Sequence, residues 1–373
     1  MSLSYPRSLP FDLRSARQLR RQFEAWAAET YTAGGYPARE MEALRRAGLL
    51  AITLPGEPLD QRLDRTPTLL QLLKIIGQGN LSVGRIYEGH INALALIERF
   101  GTSAQKDRWF ADARAGHLFG VWNTEMQDGV HLRSDREVVR VSGSKSFCSG
   151  SLHVTRPIVP GVLHARNGRP LGWQMTVIPL DRYDPPVDES FWNPLGMRNS
   201  VSYKIDFSGI ELAPTDLLGG PEDYNRQPYL SGGAIRFAAV QLGGAEALLN
   251  ATRDYLRQAG RTEDCHQRTR VGRLAMLVET GNLWLDRSGR LTDQRGDAQE
   301  IISYANMVRT VIADCCTQSI QLAEQCVGAR GLLHPSVFAR LHTDLSMYLR
   351  QPASDATLEA IGKHYLDDQT SAD

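Results

Sequence analysis

Apolar residues recur three and four positions apart at both ends of the chain, and alternate or run together in its middle. Leu13 to Thr30 and Pro37 to Gly48 have the helical spacing, with Pro37 placed to open the second segment and Gly48 to close it. Leu69 to Ile76 starts a third helix. Leu81 to Phe100 is a fourth, in which Val83, Ile86, Tyr87, His90, Leu94 and Ile97 share one face. Phe100 to Trp109 reads as a helix end and a new start, with Thr102 or Ser103 as N-cap.

Near Leu118 the period shortens. Leu118 to Asn123 is an unbroken apolar run, and Val138 to Phe147 alternates around Ser142-Gly143 like a hairpin. Trp173 to Leu180 and Ser202 to Phe207 are further strand-like runs, separated by prolines and glycines. After Gly232-Gly233 the helical period returns: Ala234 to Gln258, Cys265 to Arg287, Gln294 to Cys326 and Pro335 to Leu349. The longest uninterrupted face begins at Ile301 and carries Ala305, Val308, Val311, Ile312, Cys315, Ser319, Leu322, Ala323 and Cys326, until Gly328 stops it. The pattern predicts a mixed α and β protein in three parts: a helical domain over 1–115, a mainly β domain over 116–222 and a helical bundle over 223–373.

Composition narrows the function classes. The 373 residues are too many for one small core. Acidic and basic residues balance at 42 each, so nothing in the charge calls for nucleic acid or an anionic membrane as partner. Five cysteines, without a C-x-x-C pair, read as reduced thiols of a cytoplasmic protein rather than disulfides or a metal site. The first 17 residues lack an apolar signal core, and no run of about 18 apolar residues occurs, so neither export nor a membrane span is expected.

Six stretches in order carry a family resemblance. They are Phe100 to Trp109 (FGTSAQKDRW), the strand ending in Thr124-Glu125, Ser142 to Gly150 (SGSKSFCSG), Leu195 to Ser200 (LGMRNS), Ala238 to Gly244 (AAVQLGG) and the loop Gln325 to Gly331 (QCVGARG). Together they resemble the acyl-CoA dehydrogenase family across essentially the whole chain. The resemblance implies an N-terminal helical domain, a β-barrel-like middle and a C-terminal four-helix bundle. It also implies bound FAD, assembly as a homodimer or homotetramer, and a small-molecule substrate such as an acyl-CoA.

Carried over residue by residue, the resemblance puts Trp122, Asn123 and Thr124 along the flavin ring. Phe147, Cys148 and Ser149 match the stretch that packs on the ring and reaches toward the phosphate. Gln325 and Gly328 match the loop that holds the adenine half across a subunit interface. Read singly, Phe147 is a core residue of an alternating strand, Thr124 a strand end and Gly328 a helix cap.

Three departures bear on activity. The family's T-E-P-G-A-G-S-D becomes Thr124-Glu-Met-Gln-Asp-Gly-Val130. The glutamate that abstracts the α-proton corresponds to Pro352, and the alternative site for it falls near Gly233; neither residue accepts a proton. Glu359 is the nearest carboxylate in sequence and reads as a solvated helix residue. The arginine-Phe-Gly motif is replaced by Gly260 to Gln267, where Arg261 is either a phosphate contact or a surface charge.

Two residues offer replacement chemistry. His90 lies on the helix that faces the flavin's substrate side in the family, and flavin monooxygenases of related type keep a histidine in that region; the other reading is a core histidine. Arg350, in the substituted loop, is suited to clamping an anionic substrate, or else is a surface charge. The expected activity is flavin-dependent oxidoreduction at a CH–CH bond of an acyl thioester. The alternatives are a two-component monooxygenase using reduced flavin and O2, and a family member kept as a non-catalytic binding protein.

Overall fold

The computed structural model describes residues 12–135 and 137–367. The first eleven residues, which carry most of the stretch read for an export signal, lie outside it. Five helices come first: α1 (Arg14–Ala33), α2 (Ala38–Arg46), α3 (Thr66–Gly79), α4 (Leu81–Phe100) and α5 (Ser103–Arg114). Eleven short strands follow: β1 (Phe119–Val121), β2 (His131–Ser134), β3 (Val139–Ser142), β4 (Ser144–Cys148), β5 (Arg156–Ile158), β6 (Gly161–His164), β7 (Pro170–Thr176), β8 (Val187–Asp188), β9 (Tyr203–Asp206), β10 (Glu211–Leu212) and β11 (Leu217–Leu218). Among the described residues five more helices follow: α6 (Tyr229–Gln258), α7 (Cys265–Gln294), α8 (Ala298–Val327), α9 (Val337–Tyr348) and α10 (Ser354–Asp367).

The helix starts follow from side-chain capping. The Asn80 Oδ1 accepts from the backbone N–H of Ser82 and Val83 at the head of α4. Thr102 and Gln105 form a reciprocal capping box on α5, so Thr102 is the cap. The Gln105 amide also donates to the Thr215 and Leu217 carbonyls, tying α5 to the strand region.

The strands form a six-stranded sheet in the order β10-β3-β2-β6-β7-β11, a three-stranded sheet β4-β9-β8 and a parallel pair β1-β5. This corrects the hairpin expected at Ser142-Gly143. β3 pairs with β2 and β10, whereas β4 pairs with β9. Gly143 is a corner between two sheets. It sits at φ +95°, and a Cβ there would lie 2.1 Å from the Gly129 carbonyl oxygen. Two helical readings also change. α6 starts at Tyr229, so Gly232 and Gly233 lie inside the helix and not before it, and the helix expected around Glu359 is α10, whose bounds the sequence did not set.

One apolar core runs through all three parts, from Ala16 on α1 through Trp122 and Ile205 to Tyr348 on α9. α3 and α6 meet almost backbone to backbone. A Cβ at Gly77 would come within 2.5 Å of the Val240 carbonyl oxygen, and one at Gly243 within 2.2 Å of the Lys74 carbonyl oxygen. Among the described residues no helix is long and apolar enough to cross a membrane, and no cluster of three metal-ligating side chains occurs.

Candidate active site

The site is built where β1 runs out beside β4. Beyond β1, the Trp122 N–H continues the pairing by donating to the Ile158 carbonyl at 2.9 Å. The Trp122 ring is buried near Phe207, and its Nε1 donates to the Ser149 carbonyl at 3.0 Å. The Ser146 N–H donates to the Thr124 carbonyl at 2.9 Å, which lays the end of β4 against Thr124. Thr124 itself is exposed. Asn123 is held by its side-chain oxygen, which accepts from Trp173 Nε1 at 3.1 Å.

β4 breaks register between Lys145 and Cys148. Phe147 takes φ +55°, a conformation that costs a non-glycine residue about 1 kcal/mol or more. The bulge turns its ring outward, 43% exposed and edge-on to Phe191 and Trp192. Phe147 is thus not the core residue that alternation alone would make it. Cys148 is turned the other way. Its thiol is fully buried and donates to the Lys145 carbonyl, and burial pushes its pKa well up. The Cys148 side chain therefore faces the core, between the outward Phe147 and the half-buried Ser149. The Ser149 hydroxyl is half-buried and bonds to Ser202, which bonds in turn to Ser200. Trp122, Asn123, Thr124, Phe147 and Ser149 are brought together as one wall, aromatic and hydroxyl-bearing.

The departing sequence after Thr124 is folded around an ion pair. Glu125 Oε2 meets Lys145 Nζ at 2.6 Å and accepts from the Val130 N–H. Lys145 is fully buried, and burial lowers its pKa against the pull of Glu125. Its ammonium lies over the Trp173 ring.

The remaining expected residues lie apart from this wall. Gln325 and Gly328 are exposed at the end of α8; among the described residues no hydrogen bond or ring contact joins them to Trp122–Ser149. Arg350 is exposed in the turn after α9. Pro352 accepts a hydrogen bond on its carbonyl from Arg309, and Glu359 is exposed on α10. No carboxylate occupies either position where the family's base would sit.

His90 is fully buried, with both ring nitrogens engaged. Its Nε2 donates to the Leu50 carbonyl at 2.7 Å, and its Nδ1 accepts from the Phe119 N–H at 3.0 Å. Burial pushes its pKa down to about 4, partly opposed by the Leu50 bond. The ring is a neutral tie between α4, the segment after α2 and β1. Both of its nitrogens are taken by backbone groups, the arrangement of the core histidine that was the other reading of this residue.

Sequence reading missed the opposite flank of α4. Glu88 is buried and accepts from Arg85 and Asn92, with the Tyr348 hydroxyl 3.5 Å away. Asn92 accepts in turn from Arg236 Nε on α6. The signal was present: Arg85, Glu88 and Asn92 fall at i, i+3 and i+7 on one side of a helix whose other faces are mainly apolar. Burial raises the pKa of Glu88 against both arginines, and lowers that of Arg236 to about 10.

Helices, then sheets, then a helical bundle is the three-part order of acyl-CoA dehydrogenase-like flavoproteins. The matches make it specific. Residues 14–117 match the acyl-CoA dehydrogenase N-terminal domain and residues 226–349 the acyl-CoA dehydrogenase C-terminal domain. The chain belongs to the acyl-CoA dehydrogenase family. Among its relatives is dibenzothiophene monooxygenase of Rhodococcus erythropolis, 24% identical over 95% of this chain and 93% of that one. A probable FMNH2-dependent monooxygenase of Pseudomonas putida is 24% identical over 96% of each chain. Among solved structures, the dibenzothiophene monooxygenase of Paenibacillus sp. A11-2 with FMN and indole superimposes with a TM-score of 0.86 at 22% identity, over 95% of this chain and 97% of that one.

Proposed function

We propose that the chain is the oxygenase of a two-component flavin monooxygenase, acting on a small organic substrate. The observation that carries this reading is the absence of a base. Pro352 and Gly233 stand where a dehydrogenase needs a carboxylate, and Glu359 is out in solvent. Glu88, the buried carboxylate nearby in the fold, is occupied by donors on both oxygens. At the two positions matched to the family's base, α-proton abstraction has no acceptor. The monooxygenase relatives, matched over nearly their whole length, support the same reading.

Bound flavin in its reduced form supplies the two electrons that divide O2 between substrate and water. The chain's own residues hold it. The outward Phe147 ring offers an apolar face, and Thr124 and Ser149 offer hydroxyls beside it. Gln325 and Gly328 remain the candidates for the distal half of FAD across a subunit interface. The family resemblance implies FAD; among the similar proteins, the Paenibacillus enzyme holds FMN and XiaF of Streptomyces sp. holds FADH2, and the isoalloxazine wall serves either. The fully buried Trp122 keeps water from behind the ring.

Assembly as a homodimer or homotetramer belongs to the same proposal. Met276 and Leu283, seven residues apart on α7, are 70% and 64% exposed. The two side chains offer an anchor for a second copy, and the cofactor loop that the family resemblance implies is intersubunit. Light scattering on the purified chain tests it.

The decisive assay supplies chemically reduced FMN or FAD and measures substrate-dependent O2 consumption with a panel including dibenzothiophene, indole and small organic carboxylates, sulfinates and sulfonates. Oxygenated product containing label from 18O2 supports the proposal. Anaerobic bleaching of bound flavin by an acyl-CoA would instead establish a dehydrogenase, and failure to bind either flavin would leave a non-catalytic binding protein.

A further inference from the structure

The polar cluster between α4, α6 and α9 holds two guanidinium groups and one carboxylate. Glu88 accepts from Arg85 and Asn92, with the Tyr348 hydroxyl beside it, so each of its oxygens faces donors and the ionised form is the one that fits. The phenol of Tyr224 also lies in its field and stays neutral, since burial pushes its pKa up to about 12. Arg85 is matched by Glu88. Arg236 is not: among the described residues its only side-chain hydrogen bond runs from Nε to Asn92, and its Nη1 and Nη2 have no protein acceptor. The Arg236 guanidinium is only partly buried, and its two terminal donors, untaken by protein acceptors, are open to an anionic ligand.

The space beside those donors is kept open by glycines from two helices. A methyl group at Gly232 would meet nothing nearer than Arg236 Nη1 and Nη2, at 3.6 Å. At Gly233 the nearest atom would be Asn92 Nδ2 at 3.9 Å, and at Gly89 it would be Arg85 Nη1 at 3.9 Å. Elsewhere on the same two helices, glycines are there because backbone or side chains crowd them, as at Gly84 and Gly243. The family resemblance puts the alternative base of some members near Gly233, which is the reason for reading this space as the substrate side.

We propose that the substrate is a small organic oxyanion, a carboxylate, sulfinate or sulfonate, whose charged group docks on Arg236 Nη1 and Nη2 in the space left by Gly232, Gly233 and Gly89. The fork of Arg236 matches a planar or tetrahedral oxyanion with two parallel hydrogen bonds. Glu88 fixes the cluster, through Asn92 and Arg85, and leaves one positive charge for the ligand. The clamp expected at Arg350 in the substituted loop is assigned instead to Arg236. This inference gives the substrate class for the monooxygenase reading and rests on that reading for what happens after binding.

Equilibrium binding to the full purified chain, with and without FMN, tests it by calorimetry. The probes are methanesulfonate against its neutral counterpart dimethyl sulfone, and benzoate against benzamide. The anions are expected to bind at least tenfold tighter than the neutral partners, and Arg236→Met to abolish that difference. Gly233→Val keeps the charge and fills the space; it is expected to weaken the anions by at least tenfold and decides the matter if Arg236→Met does not fold. Equal binding of anion and neutral partner, no binding of any probe, or anion binding untouched by either variant overturns the proposal. Inorganic phosphate competing better than methanesulfonate, and displaced by FMN, would assign the cluster to the flavin phosphate and overturn it likewise. A failed O2 assay with intact anion selectivity would count against the monooxygenase reading alone.

Discussion

His90 makes the stability of the protein depend on pH in a calculable way. Its ring titrates near 4 in the folded chain and near 6.5 when unfolded. Between those values the unfolded state binds the proton and the folded state does not, so the contribution is complete above about pH 6.5 and is lost as pH falls through 4. The whole shift corresponds to about 3 kcal/mol, of which about 2 kcal/mol is gone by pH 5. Asp344 acts in the opposite sense. Burial raises its carboxyl to about 6 from 3.8, against the Met197 N–H that it accepts, so its contribution is present below 3.8 and lost as pH rises through 6. The raw wild-type curve therefore mixes the two, and a variant is needed to isolate His90. His90→Gln keeps a donor for Leu50 and an acceptor for Phe119 but cannot titrate. Urea unfolding at about pH 7.5 and pH 5 should show wild type losing about 2 kcal/mol more than His90→Gln over that interval. His90→Leu should be destabilised at both pH values, by roughly 2–6 kcal/mol, because it strands a buried carbonyl and a buried N–H. Equal pH slopes for wild type and His90→Gln would refute the burial argument. Loss of turnover in a His90→Gln protein of normal stability would refute the structural role.

Ser149→Trp should expel flavin from the wall, weakening it by at least tenfold; fluorescence titration with FMN and FAD reads this, and unchanged affinity in a folded variant removes Ser149 from the site. Gly143→Ala should cost at least about 2 kcal/mol in unfolding free energy, because the residue needs positive φ and has the Gly129 carbonyl where a methyl would go. Lys145→Met should free the Glu125 carboxylate and loosen residues 124–130, seen as faster amide exchange at Val130, whose N–H Glu125 accepts. Unchanged exchange would mean that the turn holds without the ion pair.

The helical parts were legible because long amphipathic faces leave little choice of period, and α4 follows its sequence boundaries to the residue. The strands were legible as strands, but their partners were not. Alternation around Ser142-Gly143 looks the same whether the turn closes a hairpin or carries the chain from one sheet to another. At Phe147 alternation itself misled, since a bulge at positive φ exchanges inside for outside within one residue. The wall at Trp122–Ser149 was reached through resemblance, not through any single residue. The cluster around Glu88 was overlooked because polar residues at i, i+3 and i+7 ordinarily mark a solvent face. Only the fold brings α6 and α9 down over them.

The near contact of α3 with α6 has a bearing on how such a chain can be recombined. The N-terminal and C-terminal matched segments are separate in sequence, which invites exchange of one for a relative's. Yet Gly77 and Gly243 let two main chains, about 165 residues apart, interlock more closely than side chains elsewhere permit. The two segments are halves of one joint. A chimera that imports the first must bring in, or already possess, the matching glycines of the second, and a donor with alanine at either place supplies a half that will not seat.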